Sequence, residues 1–284
     1  MDYGIIIEGG GIGGIIPATV LYRLDDANPG FVKGAFGFAG TSTGALIAAA
    51  LAYGLAPQFI ADIYRNCGGA CFTRDLMREA GEGIFRAKWD GVGLRQVCCN
   101  TLGRVTMRDV RPLVIVAAIW PGKTKVAIHN APGSPFLDWS LVDAVLASSA
   151  APGYFPGHVV DGVCYVDGGL VDNLPGPDLL DKFPNVKALI ALTTGQTPLG
   201  SFSSNPDRGF MSWGVDLLDC ETAGPVSSAK EEMEDRLGPG FVMVDFPVGD
   251  YYMDDATAIP RLGQAALDAN IEDPSACCGQ IMAA

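Results

Sequence analysis

The first strongly patterned segment, residues 3–8 (YGIIIE), is a run of apolar, mostly β-branched side chains with no polar alternation. Such a run predicts a short strand buried on both faces. It empties into Gly9-Gly10-Gly11-Ile12-Gly13-Gly14, a tight glycine loop. Pro17 then opens a predicted helix whose apolar positions Val20, Leu21 and Leu24 recur at helical spacing, and Asn28-Pro29-Gly30 closes it. Ala35 to Ala39 predicts a second strand that breaks at Gly40, and the alanine-rich segment from Thr43 to Tyr53 resumes as helix. Further along, Leu113 to Trp120 and Lys125 to His129 predict strands and Leu141 to Ser148 a helix. Val163 to Val166 predicts a strand entering Asp167-Gly168-Gly169, and Lys187 to Thr193 and Phe241 to Phe246 complete the strands. Residues 195–210, rich in Gly, Ser, Pro and Asn, predict a surface loop. Strands alternating with helices argue for an α/β layered fold around a mostly parallel sheet. The 284 residues fit a single domain, with the glycine-punctuated stretch at about 67–111 as a helical cap or insertion.

Composition narrows the field. With 49% apolar and 18% charged residues the chain is too apolar and too weakly charged to be disordered as a whole. Its net charge of −13 argues against a general nucleic-acid binder, which needs a basic footprint. The charge is lopsided, +2 over residues 1–142 and −15 over 143–284, so any contact with an anionic membrane surface is expected through the first half. The longest apolar stretch, Ala45 to Ala56, stops at Pro57, short of the ~20 residues of a membrane-spanning helix. No signal-peptide pattern precedes the first strand, which predicts a cytoplasmic protein. The eight cysteines form no paired CxxC knuckles and have no histidine at ligand spacing, so free thiols and no metal are expected.

Two motifs carry chemistry. Gly40-Thr41-Ser42-Thr43-Gly44 is G-x-S-x-G between a predicted strand and a predicted helix, the context in which a sharp turn lifts a serine Oγ above a sheet. The loop Gly9-x-Gly11-x-x-Gly14 also fits a dinucleotide fingerprint. That reading requires an acidic residue at the end of the second strand; here that strand ends in the serine turn, and Asp25 and Asp26 lie earlier, at a helix end. The other use of consecutive glycines is to offer backbone N–H groups to an oxygen that becomes negative during acyl transfer. A serine nucleophile needs a base. His129 and His158 are the two imidazoles, and a triad of Ser42, Asp138 or Asp143, and His158 has the right chain order. The alternative base is Asp167, at a strand end before two glycines.

Glu8 to Leu24 (EGGGIGGIIPATVLYRL), Phe38 to Ala48 (FAGTSTGALIA), Ala147 to Pro156 (ASSAAPGYFP) and Tyr165 to Pro175 (YVDGGLVDNLP) resemble, in order and spacing, the four blocks of the patatin-like phospholipase family. The resemblance covers residues 3 to about 195. It implies a three-layer α/β/α sandwich and a Ser-Asp dyad without histidine, with Ser42 as nucleophile, Asp167 as base, and Gly9, Gly10 and Gly11 as oxyanion loop. It implies a lipolytic acyl hydrolase of phospholipase A, lysophospholipase or esterase type that needs no cofactor or metal. Its partners would be a lipid or acyl ester and, transiently, a membrane surface. An acyltransferase using the same nucleophile is the alternative, ahead of a Rossmann-type nucleotide-binding protein. One departure stands out: the family usually carries Arg or Lys where this chain has Gly13, which weakens the expectation of phospholipid preference.

Overall fold

β1 (Tyr3–Ile7) is buried along its whole length, as its unbroken apolar run requires, because it lies at the centre of the sheet with a parallel neighbour on each side. The computed structural model describes residues 2–73, 87–195, 226–245, 248–249 and 251–271. Within them, β2 (Gly37–Thr41), β3 (Leu113–Ile119), β7 (Ala188–Leu192) and β8 (Phe241–Val244) extend β1 into a parallel block in the order β3-β2-β1-β7-β8. β4 (Thr124–His129), β5 (His158–Val160) and β6 (Val163–Asp167) add an antiparallel flank, so the sheet is mixed around a parallel centre. β3 takes β4 along one edge. Its other edge is shared in succession, by β2 up to Val116 and by β6 from Ala117 onward.

The pleat sorts side chains into two cores. Ile5, Ile7, Phe38, Ile115 and Ile190 pack into one large apolar cluster with α1 (Ile15–Ala27), α3 (Thr43–Tyr53), α4 (Pro57–Cys67), α6 (Leu141–Ser148) and α9 (Ile259–Asp268). Ile6, Ala39, Val114 and Leu189 point the other way, onto α7 (Gly176–Lys182) and a helix at 226–237, here α8. Residues one apart on a strand thus join different cores, the signature of a sheet covered on both faces. α2 (Phe31–Gly34) and α5 (Val92–Leu102) complete the described helices. The expected α/β/α sandwich is the observed fold. Among the described residues, no helix is long and apolar enough to cross a membrane.

Several boundaries differ from the sequence expectation. The first helix begins at Ile15, after a 3-10 turn over Gly11–Gly14, because the glycine loop winds directly into it; Pro17 sits inside the first turn, where its missing N–H is harmless. β2 spans Gly37–Thr41, two residues later than Ala35–Ala39, because Phe31–Gly34 forms a helical turn and Gly40 and Thr41 still pair with Ile115 and Val116. β5 is three residues long, too short for a periodic signal. Of the expected insertion, residues 87–111 hold α5 and a 3-10 turn at Met107–Asp109, while 74–86 lie outside the described residues. The loop expected at 195–210 lies outside them from residue 196.

Register fixes where chemistry can occur. Ile7 pairs with both Gly40 and Leu192, so the chain leaves β1, β2 and β7 side by side, at Glu8, just before Ser42, and at Thr193. Thr41 pairs with Val116, and the next β3 residue, Ala117, pairs with Asp167. Ser42 and Asp167 are 125 positions apart in sequence, yet they arrive at adjacent rungs of β3, at the carboxyl edge where open α/β sheets bind ligands.

Candidate active site

Ser42 has φ 54° and ψ −121°, a conformation that L residues rarely adopt. The flanking glycines allow it. A Cβ at Gly44 would strike the Ile7 carbonyl oxygen and lie 2.7 Å from that of Glu8, so only a bare Cα lets α3 pass this close to the end of β1. The Ser42 N–H donates to Ser148 Oγ at 2.8 Å, and Ser148 Oγ donates to the Val116 carbonyl, tying the turn to β3 through α6. The serine stands at the N-terminal end of α3, the positive pole of an 11-residue helix.

Asp167 closes β6 and is buried, and its carboxyl lines the same cleft as Ser42. Its Oδ1 also accepts the Gly169 N–H at 2.8 Å. Burial pushes the carboxyl up to about 6, against the opposing pull of the Gly169 N–H and the nearby Ser42 side chain. A carboxylate of ordinary pKa is a poor proton acceptor for a hydroxyl; desolvation moves this one toward neutral pH, where it is a stronger base yet still ionises.

The glycine loop runs beside the serine, a Cβ on Gly9 falling 3.1 Å from that of Ser42. Gly9 is held twice by Asn173, whose carbonyl accepts the Gly9 N–H at 3.4 Å and whose Nδ2 donates to the Gly9 carbonyl at 3.2 Å. Farther on, the Ile12 N–H goes to the Met253 carbonyl and the Gly13 N–H to the Gly10 carbonyl. Between these, the N–H groups of Gly10 and Gly11 pair with no acceptor among the described residues. A Cβ at Gly10 would collide with the Thr194 side chain.

Ser42, Asp167, Gly9, Gly10 and Gly11 all line one open cleft of about 1010 Å³, including its mouth. Leu46, Phe72, Leu94, Tyr154, Phe155, Leu170 and Met253 make its walls mainly apolar, suited to an acyl chain. Neither histidine lines it. His158 Nε2 lies 3.0 Å from Asp143 Oδ1, but His158 lines a neighbouring hollow, and Asp138 is engaged with Arg108. His129 sits on β4 with its Nδ1 accepting the Ala131 N–H. Among the described residues, no three His, Cys, Asp or Glu side chains gather as metal ligands, and Cys67, Cys71, Cys98, Cys99 and Cys164 are free thiols. The residues that sequence reasoning passed over are Ser148, Asn173 and Thr194. The first two lie inside the quoted blocks ASSAAPGYFP and YVDGGLVDNLP and could have been singled out there; Thr194 had no local signal.

A serine held at positive φ on a strand-to-helix turn, beside a desolvated carboxylate and backbone donors in an apolar cleft, is an arrangement chemically able to carry acyl transfer on an α/β sandwich. The family described as Patatin-like phospholipase matches residues 5–180, and the chain belongs to that family. Its family places it among lipid hydrolases. The chain is 28% identical over 279 residues to a protein of Pseudomonas aeruginosa named cGAMP-activated phospholipase, covering 92% of this chain and 83% of that one. It is 31% identical over 172 residues to Patatin-17 of Solanum cardiophyllum, covering 54% and 42% of the two chains. The crystal structure of VipD from Legionella pneumophila superimposes with a TM-score of 0.54 at 14% identity over 99% of this chain and 67% of that one, a likeness of fold.

Proposed function

We propose that the protein hydrolyses carboxylic esters of lipids through an acyl-enzyme on Ser42, with Asp167 as its base. The observation that carries this reading is that Ser42, strained at φ 54°, and Asp167, whose carboxyl is pushed up to about 6, line one apolar cleft from adjacent rungs of β3. In the first half-reaction Asp167 takes the Ser42 hydroxyl proton as Oγ bonds to the ester carbonyl carbon. The carbonyl oxygen becomes an oxyanion facing the N–H groups of Gly10 and Gly11, with Gly9 anchoring the loop through Asn173. Collapse breaks the bond to the alcohol oxygen, which leaves with the proton from Asp167. Water then loses a proton to Asp167, attacks the acyl carbon, and the fatty acid departs as Ser42 recovers its proton.

The apolar walls favour an acyl chain over a small polar group, and lysophospholipids, phospholipids and simple acyl esters all present one. Transfer to an alcohol or thiol acceptor is the second reading, since it shares the first half-reaction. Product analysis with and without an added alcohol separates the two. Two relatives, from Pseudomonas aeruginosa and Vibrio cholerae, are named cGAMP-activated phospholipases, and we extend that activation to this chain as a proposal. Ester hydrolysis measured with and without cGAMP tests it: a rise supports it, and unchanged turnover removes it. We also propose that the chain is a single functional domain, which limited proteolysis releasing an active fragment shorter than residues 1–195 would overturn.

A further inference from the structure

Glu8 takes no part in the proposed chemistry, yet it stands at the head of the glycine loop with its carboxyl turned into the protein. Its Oε2 accepts the Thr194 N–H at 2.9 Å and lies 3.3 Å from the Thr194 hydroxyl. The same hydroxyl is 3.3 Å from the Gly9 carbonyl. Thr194 is fully buried, its Cβ would be 2.8 Å from a Cβ on Gly10, and its own carbonyl accepts the Tyr251 hydroxyl at 2.8 Å. One threonine therefore backs both Gly9 and Gly10, and one carboxyl holds that threonine by two groups.

We propose that Glu8 is a positioning residue for the oxyanion loop, its carboxyl group fixing Thr194 and Thr194 fixing the Gly9–Gly10 stretch. The proposal rests on the reading of that loop as the oxyanion site. Thr194 has a single hydroxyl proton, which can go to Glu8 or to Gly9 but not to both. When Glu8 is ionised the carboxylate draws that proton. When Glu8 is neutral its own O–H can donate to Thr194 Oγ1, leaving the threonine proton for the Gly9 carbonyl. Neutral Glu8 also removes a negative charge from behind donors that must stabilise an oxyanion.

Burial, reinforced by the negative charge of Asp245, pushes the Glu8 carboxyl up to about 7, while the Thr194 hydrogen bonds and, more weakly, the nearby Asn173 side chain pull the other way. Among the described residues, Asp245, just past β8, is the charged side chain acting on it, and Thr194 and Asn173 are its polar neighbours. Fast turnover therefore needs Asp167 ionised and Glu8 neutral, which gives a bell-shaped kcat profile.

The test is steady-state kinetics on a p-nitrophenyl ester from pH 5 to 9, with fluorophosphonate labelling of each variant. Glu8→Gln keeps the hydrogen-bonding shape without the charge, so it should retain fast turnover and the acid limb but lose the alkaline limb near pH 7. Glu8→Ala and Thr194→Val should each lower kcat by up to ~100-fold with KM within about twofold, and Thr194→Ser should restore it. An alkaline limb that persists in Glu8→Gln, or full kcat in Thr194→Val, overturns the proposal even when Ser42 labels normally. If Glu8→Ala does not fold, Glu8→Gln and the two Thr194 variants decide. Full turnover in Ser42→Ala would instead sink the reading beneath it, whatever Glu8 does.

Discussion

Ser148 Oγ accepts the backbone N–H of Ser42 at 2.8 Å, so a side chain from α6 holds the main chain of the serine turn. The two residues are 106 positions apart, and both lie at the carboxyl edge of the sheet. Ser148→Ala should leave that N–H without its acceptor, costing on the order of 1–3 kcal/mol of stability and loosening the turn. Thermal unfolding and kcat measured together check this. Loss of turnover should exceed the loss attributable to unfolded protein, because a misplaced Oγ loses its attack geometry.

Asp167→Asn should reduce turnover severely, whereas His158→Ala and His129→Ala should each retain most of it, since neither imidazole lines the cleft. Wild-type activity should rise with pH through about 6, as Asp167 ionises. Equal damage in a folded His158→Ala variant would favour a triad built on His158 and Asp143.

The same carboxyl predicts how stability varies with pH. A carboxyl whose pKa is raised in the folded protein binds more protons there than in the unfolded chain, so stability falls as pH rises from its unfolded value toward its folded one. For Asp167 that window runs from about 4 to 6 and for Glu8 from about 4 to 7. Asp167→Asn should therefore be more stable than wild type at pH 8, by at most about 3 kcal/mol, and the gap should close below pH 4. Urea melts at pH 4, 6 and 8 measure it. A variant less stable than wild type at pH 8 would mean that its hydrogen bonds outweigh its desolvation.

Gly10→Val should cost ~100- to 1000-fold in kcat, the loss seen when an oxyanion donor is removed, because its side chain would force Thr194 and the loop apart. Unaltered kinetics with an intact fold would show that these glycines bind nothing.

At Gly13, a Cβ would run into the Tyr251 hydroxyl, which donates to the Thr194 carbonyl. No cation can stand there without displacing Tyr251, and activity on neutral short- or medium-chain esters should equal or exceed that on diacyl phospholipids. Binding to anionic vesicles should be weak and fade with salt, given the −15 charge of residues 143–284. Parallel assays and vesicle sedimentation at two ionic strengths test this. Tight, salt-resistant binding with a preference for anionic phospholipid would contradict it.

The sheet was legible because its central strands are unbroken apolar runs and its punctuation is glycine: YGIII ahead of the loop, and G-x-S-x-G between β2 and α3, mark their own boundaries. Leu141–Ser148 appears as expected because Ser140 caps it, its Oγ accepting the Asp143 N–H. β5 and the start of β2 were not legible, since three residues carry no period and a helical turn at Phe31–Gly34 displaced the strand. The candidate site was legible as far as local turns mark it, at Ser42, Asp167 and Gly9 to Gly11. Thr194 and its link to Glu8 were not, because 186 residues separate them and only the parallel pairing of β1 with β7 brings them together.

The central claim is that Ser42 carries the acyl group. Treatment with a fluorophosphonate, followed by intact-mass analysis and peptide mapping, should add one phosphonyl group per chain, on the peptide containing Ser42, and stop ester hydrolysis in proportion. Ser42→Ala should neither label nor turn over. Labelling at another residue, or full hydrolysis by a folded Ser42→Ala variant, would contradict the account.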